Sequence, residues 1–214
     1  GQKGRAYYVL NKNVLMITVE TFEIHDGRVV STVSGDNLKW FRDTIDTHKD
    51  KVDFIIVQGH VPVFGEIKAR SSSKIMLNEG RDNPFWKAMK EGGVDVYLCG
   101  EFHDVTILES DGIWQIVHGS SWGRKRVNTM DYLVMTSSPR SLKLEMKSFP
   151  MEAGGDKMWN LHKSRGPREI VNISDETKKA GPQVTGTLVI DKTAPGKKYV
   201  SRSGLFSREN VPEE

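Results

Sequence analysis

Three short apolar runs, rich in β-branched residues, constrain the fold of this chain more than any other feature. They span residues 14–19, 54–57 and 94–98. Continuous apolar runs of this length predict strands that are buried on both faces of a sheet. The spacing of apolar residues predicts a helix over about 37–48, with Asp36 as its N-cap. A second helix is predicted to begin at Asn83 and Pro84. Strand, helix and strand in this order are typical of βαβ units, which predicts a parallel sheet.

The pattern changes in the second half of the chain. Alternating strands separated by turn sequences predict β-hairpins there. The strand over 142–147 alternates strictly, so we expect it to be half-buried, at a sheet edge or on a solvent-facing sheet. Earlier in the chain, residues 21–35 predict a loop with a turn at 26–27 and a short strand at 29–30. These patterns predict an α/β fold with a parallel sheet, β-hairpins after it and a small β-rich C-terminal appendage.

The sequence is predicted to divide near residue 150. Residues 1–150 form the main domain in this interpretation, and residues 151–214 form a linker and a small appendage of β tendency. The density of apolar residues falls after the linker. We therefore expect the appendage to be weakly packed.

Composition excludes several classes of protein. Among 214 residues, 31 Lys and Arg against 28 Asp and Glu give a formal charge of +3, which offers no case for general nucleic-acid binding. A single cysteine, Cys99, excludes an internal disulfide framework and a cysteine-cluster zinc site. No apolar run approaches the ~18 residues that a membrane-spanning helix needs, so we expect no transmembrane segment.

Metal-ligand residue types follow two of the predicted strands. The sequence Gly-His-Val-Pro occupies 59–62, and Gly-Glu-Phe-His-Asp occupies 100–104. Ligands of open α/β sheets gather at the carboxyl ends of parallel strands, and glycine lets the backbone turn sharply there. We therefore expect His60, Glu101 and His103 to share one rim, with donors that suit Zn, Mn or Fe. A histidine after a strand is also often a hydrogen-bonded structural residue, so the spacing alone leaves both interpretations open.

Several stretches together carry a resemblance to a known family. They are the Tyr-rich hairpin at 7–19, Leu-Lys-Trp-Phe at 38–41, Gly-His-Val-Pro at 59–62, Gly-Glu-Phe-His at 100–103 and Gly-Ser-Ser at 119–121. In order and spacing they resemble the C-terminal half of the calcineurin-like metallophosphoesterase family, nearer its purple-acid-phosphatase-like branches than its protein phosphatases. The resemblance covers about residues 7–147. It implies two mixed sheets sandwiched between helices, with a two-metal centre at the sheet edge.

The resemblance also implies roles for individual residues. His60 would ligate the second metal and His103 the first, and Glu101 stands where the family has a second-metal histidine. The implied activity is hydrolysis of a phosphate ester by a water that two divalent or trivalent ions (Mn, Fe or Zn) activate. Glu101 is a harder ligand than imidazole; it either favours Mn, Fe or Mg or impairs the second site.

The early motifs of the family, Asp-x-His, Gly-Asp and Gly-Asn-His, do not occur before Gly35. We therefore expect the chain to be part of a longer polypeptide, to act on a phosphorylated substrate together with the missing N-terminal half, and to be weak or inactive alone. The alternative is a degenerate, non-enzymatic scaffold or binding protein of the same fold. A carbohydrate- or wall-binding role for the tail also stays open. The sequence leaves the compartment open, and the resemblance leans slightly towards an exported protein.

Three further residues near the predicted rim have two interpretations each. Asp104 either orients His103 through a hydrogen bond or points away from it. His118 either supports the metal ligands from behind or is an ordinary packed or solvated histidine. Arg124 either attracts the phosphate of a substrate or lies on a solvated loop.

Overall fold

The computed structural model describes residues 5–63, 75–102, 105–118, 129–150, 152–158, 168–194 and 198–207, with strand assignments alone for 152–158 and 168–172. Its elements are, in chain order, β1 (Tyr7–Asn11), β2 (Val14–Thr18), β3 (Phe22–His25), β4 (Arg28–Ser31), α1 (Gly35–His48), β5 (Phe54–Gln58), α2 (Pro84–Glu91), β6 (Val96–Cys99), β7 (Thr106–Ser110), β8 (Ile113–Val117), β9 (Thr129–Ser138), β10 (Ser141–Pro150), β11 (Glu152–Met158), β12 (Arg168–Asn172), α3 (Asp175–Ala180), β13 (Gln183–Asp191) and β14 (Tyr199–Gly204). No helix in these ranges combines the length and the apolar character that crossing a bilayer requires.

A six-stranded mixed sheet contains the three apolar runs. Its strand order is β1-β2-β5-β6-β8-β7. The four inner strands are parallel, and β1 and β7 run antiparallel at the two edges. The predicted parallel pairing is therefore confirmed, for example where Met16 of β2 pairs with Ile56 of β5. Because the inner strands are parallel, their carboxyl ends meet at one edge of the sheet, which positions the candidate site.

Helices α1 and α2 cover one face of this sheet. Phe41 of α1 and Phe85 of α2 meet edge to face at 5.0 Å, and both are fully buried. The start of α2 is as predicted, because the Asn83 side chain accepts a hydrogen bond from the Phe85 N–H at 2.9 Å. The predicted N-cap of α1 is wrong. The helix begins two residues earlier, so Ser34 is the N-cap and Asp36 lies in the first turn.

The segment between β2 and α1 forms a hairpin where the sequence predicted mostly loop. Strands β3 and β4 pair antiparallel around Asp26 and Gly27, whose φ angles are +51° and +74°. The predicted turn is therefore correct, and a second short strand precedes it. Two consecutive positive φ angles are the geometry of the two-residue turns that suit the twist of a hairpin.

A second, antiparallel sheet lies against the other face of the first. Its strand order is β14-β13-β10-β9. Leu144 of β10, Ile190 of β13 and Phe206 are fully buried in one cluster with Ile56 and Ile107 of the first sheet. The molecule is thus mixed α/β, with helices on one face of a large mixed sheet and a second sheet on the other.

The predicted half-burial of the strand over 142–147 is confirmed, because β10 buries every second residue and leaves the others partly or fully exposed. The strand is central and not at an edge, because β9 and β13 flank it. Weak packing was expected for the C-terminal segment, yet β13 and β14 extend the second sheet, and Leu188 and Ile190 are fully buried. The apolar residues there are few, but burial alternates along β13, so one face is enough to join the core. The division of the whole chain into domains stays a prediction.

A buried carboxylate ties the second sheet to the amino ends of the parallel strands. Asp95, just before β6, has a side chain that is 2% exposed and lies 2.7 Å from the ammonium group of Lys192 and 3.1 Å from that of Lys198. It also accepts the main-chain N–H of Ile55 at 3.2 Å. Since both lysines lie in or next to the connection between β13 and β14, the ion pairs fasten this connection to the first sheet.

Candidate functional site at the carboxyl ends of the strands

Two loops that carry predicted ligands lie side by side at the carboxyl ends of β5 and β6. The Gly59 N–H donates to the Leu98 carbonyl at 3.0 Å, and the Gly100 N–H donates to the His60 carbonyl at 2.9 Å. These bonds continue the ladder between the two strands by one step beyond the sheet. As a result, the residues that follow each glycine project from the same edge.

His60 and Glu101 meet at this edge. The imidazole Nε2 of His60 lies 2.9 Å from a carboxylate oxygen of Glu101. The His60 side chain is 54% exposed, whereas that of Glu101 is 9% exposed. The ring of Phe22, from β3, lies 5.8 Å from the His60 ring and flanks it on one side. An accessible imidazole therefore stands over a mostly buried carboxylate.

The backbone at Glu101 is strained. Its φ angle is +66°, and the Phe102 N–H donates to the Gly100 carbonyl at 2.8 Å. A hydrogen bond between residues two apart around a positive φ defines a γ-turn of the rare, strained form. Residues with side chains adopt such conformations at a cost of roughly 1–3 kcal/mol, and they concentrate at functional sites. The turn directs the Glu101 carboxylate towards His60.

The glycines of the two motifs have a different role from the one predicted. Neither Gly59 nor Gly100 has a positive φ angle. A Cβ atom on Gly59 would lie 2.7 Å from the hydroxyl oxygen of Tyr97 and 2.8 Å from a methyl carbon of Thr21. Gly59 is therefore required by close packing beneath the loop. At Gly100 a Cβ atom would meet only ordinary contacts, the nearest at 3.6 Å from His60.

His118 stands at the same edge, at the end of β8. The main-chain N–H of His118 donates to the Cys99 carbonyl at 2.9 Å. Burial lowers the pKa of the His118 imidazole below its ordinary value of 6.5, although the charge of Asp131 and hydrogen bonds with the main chain oppose this effect. The buried Nε2 atom has no hydrogen-bond partner among the described residues. His118 is therefore a partly buried imidazole whose surroundings disfavour protonation, and it lines the same cavity as His60.

A cavity of about 650 Å³ opens at these strand ends. Its lining includes His60 and His118 together with Arg5, Gln58 and Tyr132. Both sheets contribute, since Tyr132 belongs to β9. A volume of this size is typical of small-molecule sites. Sequence reasoning did not single out Arg5 or Tyr132, because neither follows a parallel strand.

The donors of the pair fit a divalent ion of the harder kind. Imidazole nitrogen and carboxylate oxygen suit Mn, Fe and Zn. Two adjacent ligands of an octahedral ion lie roughly 3 Å apart when each bond is about 2.1 Å, and His60 and Glu101 are 2.9 Å apart. Within the described ranges, no group of three His, Cys, Asp or Glu side chains is arranged to hold a metal ion. The predicted third ligand, His103, lies outside those ranges, as do Asp104 and Arg124.

Comparisons with known proteins give no family assignment. No family model matches the chain, and no curated protein matches it significantly. Solved structures similar to it include GAP50, the anchor in the inner membrane complex of Plasmodium, with 14% identity, a TM-score of 0.39 and coverage of 79% of this chain and 54% of that one. A putative 5'-nucleotidase from Staphylococcus aureus has 16% identity and a TM-score of 0.39, over 74% of this chain and 31% of that one. Zinc-bound Vps29 from Entamoeba histolytica has 12% identity and a TM-score of 0.26, over 74% and 98%.

The chain thus spans about half of the first of these proteins and a third of the second. TM-scores below 0.5 at these identities do not establish a common fold. The resemblance to metallophosphoesterases, and to their purple-acid-phosphatase-like branch, stays a prediction from the motifs.

Proposed function

We propose that this chain is the C-terminal half of a metal-dependent phosphoester hydrolase of the calcineurin-like metallophosphoesterase type. The observation that carries the proposal is the convergence of His60 and Glu101, which leave adjacent parallel strands and bring an imidazole nitrogen and a carboxylate oxygen to 2.9 Å. The 54% exposure of the His60 side chain leaves the imidazole of the pair accessible from the cavity and from solvent. The motif order adds support, because it places a third ligand type, His103, two residues after Glu101.

The side chains of the site have distinct tasks in this proposal. His60 and Glu101 hold one ion, and His103 holds its neighbour. Glu101, as a hard oxygen donor, favours Mn, Fe or Mg over softer ions. Bound ions would supply a water of lowered pKa and a Lewis acid for the phosphate oxygens. Arg124 attracts the anionic substrate, and Asp104 orients His103 through a hydrogen bond. His118, whose Nε2 has no partner within the described ranges, lines the cavity with His60.

The complete site needs residues beyond these. The resemblance implies that a bridging carboxylate and an Asn-His pair come from the N-terminal half. The present chain is therefore expected to bind metal weakly and to hydrolyse esters slowly or not at all. The whole polypeptide is expected to be the active form.

Mn²⁺ binding to this chain tests the proposal, and the protein contains a matched control. His25 and Glu23 form a second surface pair, with Nε2 and the carboxylate oxygen 3.0 Å apart and exposures of 51% and 11%. The carboxylate of Glu23 already accepts hydrogen bonds from the N–H and hydroxyl of Ser34, at 2.7 and 2.6 Å. We expect His60→Ala and Glu101→Gln to weaken Mn²⁺ binding about tenfold or more, and His25→Ala to leave it unchanged. Equal effects of the His60 and His25 variants, or no binding by the wild type, would refute the proposal.

One observation favours the alternative function, a non-enzymatic scaffold of the same fold. His60 and Glu101 form an ion pair with each other whenever the imidazole is protonated, so they need no metal to be satisfied. In that case Glu101→Gln would lower the free energy of unfolding slightly and leave Mn²⁺ binding at the level of His25→Ala. Hydrolysis of p-nitrophenyl phosphate by the whole polypeptide, lost in His60→Ala, would exclude the scaffold.

A further inference from the structure

The loop that carries His60 is held from below by two buried polar side chains. The Tyr97 hydroxyl donates to the Val61 carbonyl at 2.6 Å, and the Gln115 side-chain oxygen accepts the Val63 N–H at 2.8 Å. Tyr97 and Gln115 are both 0% exposed. They lie directly opposite each other on the parallel strands β6 and β8. The sheet therefore supplies a hydroxyl donor and an amide acceptor, side by side, to the main chain of the loop at Val61 and Val63.

These two polar residues stand on an otherwise apolar surface. Tyr97 belongs to the cluster beneath the helices, where Phe85 of α2 meets its ring edge to face at 5.7 Å. Residues 113 and 117, which share the face of Gln115 by alternation, are Ile and Val in the same cluster. A buried amide or hydroxyl is costly unless it is hydrogen-bonded, and an apolar pair of similar size would serve the core as well. The polar pair therefore specifies the path of the loop.

The support reaches the main chain on both sides of His60. The Gly59 N–H and the His60 carbonyl are bonded to β6 and its following loop, as described above, and the Val61 carbonyl is bonded to Tyr97. A hydroxyl at Tyr97 fits only because Gly59 has no Cβ, which would lie 2.7 Å from it. Attachments at residues 59, 60 and 61, together with the bond from Val63 to Gln115, therefore fix the backbone around His60, whose own side chain is half exposed.

We propose that Tyr97 and Gln115 are positioning residues that set the direction of the His60 imidazole by fixing the main chain of residues 59–63. The expected effect on metal binding rests on the proposed function. The effect on the position of the His60 imidazole depends only on the hydrogen bonds of the loop. Tyr97 donates at all ordinary pH values, because burial raises the pKa of its hydroxyl well above 10. Removal of the hydroxyl alone leaves the ring in the core and frees the Val61 carbonyl, so the loop can shift without loss of the fold.

The experiment compares the variants Tyr97→Phe and Thr44→Val of the 214-residue chain. Thr44 is a buried residue of α1 whose hydroxyl donates to the Trp40 carbonyl of the same helix at 2.8 Å. Both variants lose one buried hydroxyl bonded to a main-chain carbonyl. The Trp40 carbonyl keeps its helical N–H partner, so Tyr97→Phe should lose more thermal stability than Thr44→Val. We expect Tyr97→Phe to weaken Mn²⁺ binding about tenfold and to shift or broaden the ¹⁵N imidazole resonances of His60. Thr44→Val should do neither.

Unchanged His60 resonances in Tyr97→Phe, or the same change in Thr44→Val, would overturn the inference. Gln115→Met, which keeps the length of the side chain and removes its amide, provides a second test with the same expected outcome. The resonances also separate this inference from the proposed function. If the wild type binds no Mn²⁺ and Tyr97→Phe still shifts the His60 signals, the proposed function fails and the positioning role stands.

Discussion

Polar groups at the amino ends of the parallel strands are well supplied with hydrogen-bond partners, whereas those at the carboxyl ends include a strained residue and an imidazole nitrogen that has no partner in the described part of the chain. At the amino end, the Asp95 carboxylate is saturated by two lysines and a main-chain N–H, and Asp53 accepts from Asn13 and from the Arg140 N–H. At the carboxyl end, Glu101 occupies a strained turn, and the His118 Nε2 atom has no partner among the described residues. The contacts at the amino end thus stabilise the fold. The arrangement at the carboxyl end lowers stability and holds the candidate metal ligands, His60 and Glu101, in position. The predictions below test this contrast.

The largest effect is expected from Asp95→Ala at the amino end. Removing a buried carboxylate leaves the partly buried ammonium groups of Lys192 and Lys198 with main-chain carbonyls as partners and no carboxylate, and the loss of one member of a buried ion pair costs about 3 kcal/mol. Urea denaturation should show a free energy of unfolding lower by about that amount, while Mn²⁺ affinity of the folded protein stays at the wild-type level. Asp175→Ala, at an exposed ion pair of α3, is the control and should leave stability unchanged. A coupled loss of metal affinity in Asp95→Ala would mean that the two ends are not independent.

Gly59→Ala should have the next largest effect, because the added Cβ overlaps the Tyr97 hydroxyl and a Thr21 methyl group. Overpacking of this kind typically costs 1–3 kcal/mol, and we expect about 2 kcal/mol by urea denaturation. The double variant Gly59→Ala, Tyr97→Phe should lose less than the sum of the single variants, since the second change removes one of the two clashing atoms. Strict additivity would show that the glycine does not make room for the hydroxyl.

Glu101→Gly is expected to separate stability from binding. Glycine relieves the positive φ angle, by about 1–2 kcal/mol, and this gain offsets the lost ion pair and the greater freedom of the unfolded chain. The free energy of unfolding should therefore change by less than about 1 kcal/mol, while Mn²⁺ affinity falls tenfold or more. Thermal denaturation and metal titration on the same sample measure both. A large loss of stability would show that Glu101 in the γ-turn serves to stabilise the fold and not to position a metal ligand.

The smallest effect concerns pH. Because burial lowers the pKa of His118 below 6.5, the folded protein disfavours its protonation relative to the unfolded chain. The contribution of the His118 imidazole to the free energy of unfolding is therefore fully present above pH 6.5. It is lost as the pH falls below that value towards the lowered pKa. The difference in unfolding free energy between wild type and His118→Gln should therefore shift against the wild type between pH 7 and 5. A difference that stays constant across this range would contradict the burial of the imidazole.

The sequence predicted those parts of the fold that depend on local signals. The runs at 54–57 and 94–98 are apolar enough to identify buried strands, and Asn83 with Pro84 identifies a helix start. The same signals placed His60 and Glu101 at one edge, since the carboxyl ends of neighbouring parallel strands must meet. Local reasoning was sufficient wherever the partner was the next strand or the next turn.

Other features depend on contacts that no local pattern contains. Leu188 and Ile190 are buried because β13 lies against the first sheet, whereas the low apolar density of the C-terminal segment predicted weak packing. The positive φ of Glu101 has no signal in its residue type, because Glu rarely adopts it. Gln115 did carry a signal, as an amide in the middle of the apolar sequence Ile-Trp-Gln-Ile-Val, but only the fold shows that it holds the loop after His60.

Paramagnetic broadening by Mn²⁺ tests the central claim, that the carboxyl ends of β5 and β6 form a metal site, in the unmodified protein. Substoichiometric Mn²⁺ is added while the imidazole resonances of His60 and His25 are followed by NMR. We predict that the His60 signals disappear first and that the His25 signals, from the matched surface pair, persist. Equal broadening of both histidines, or none at either, would contradict the account.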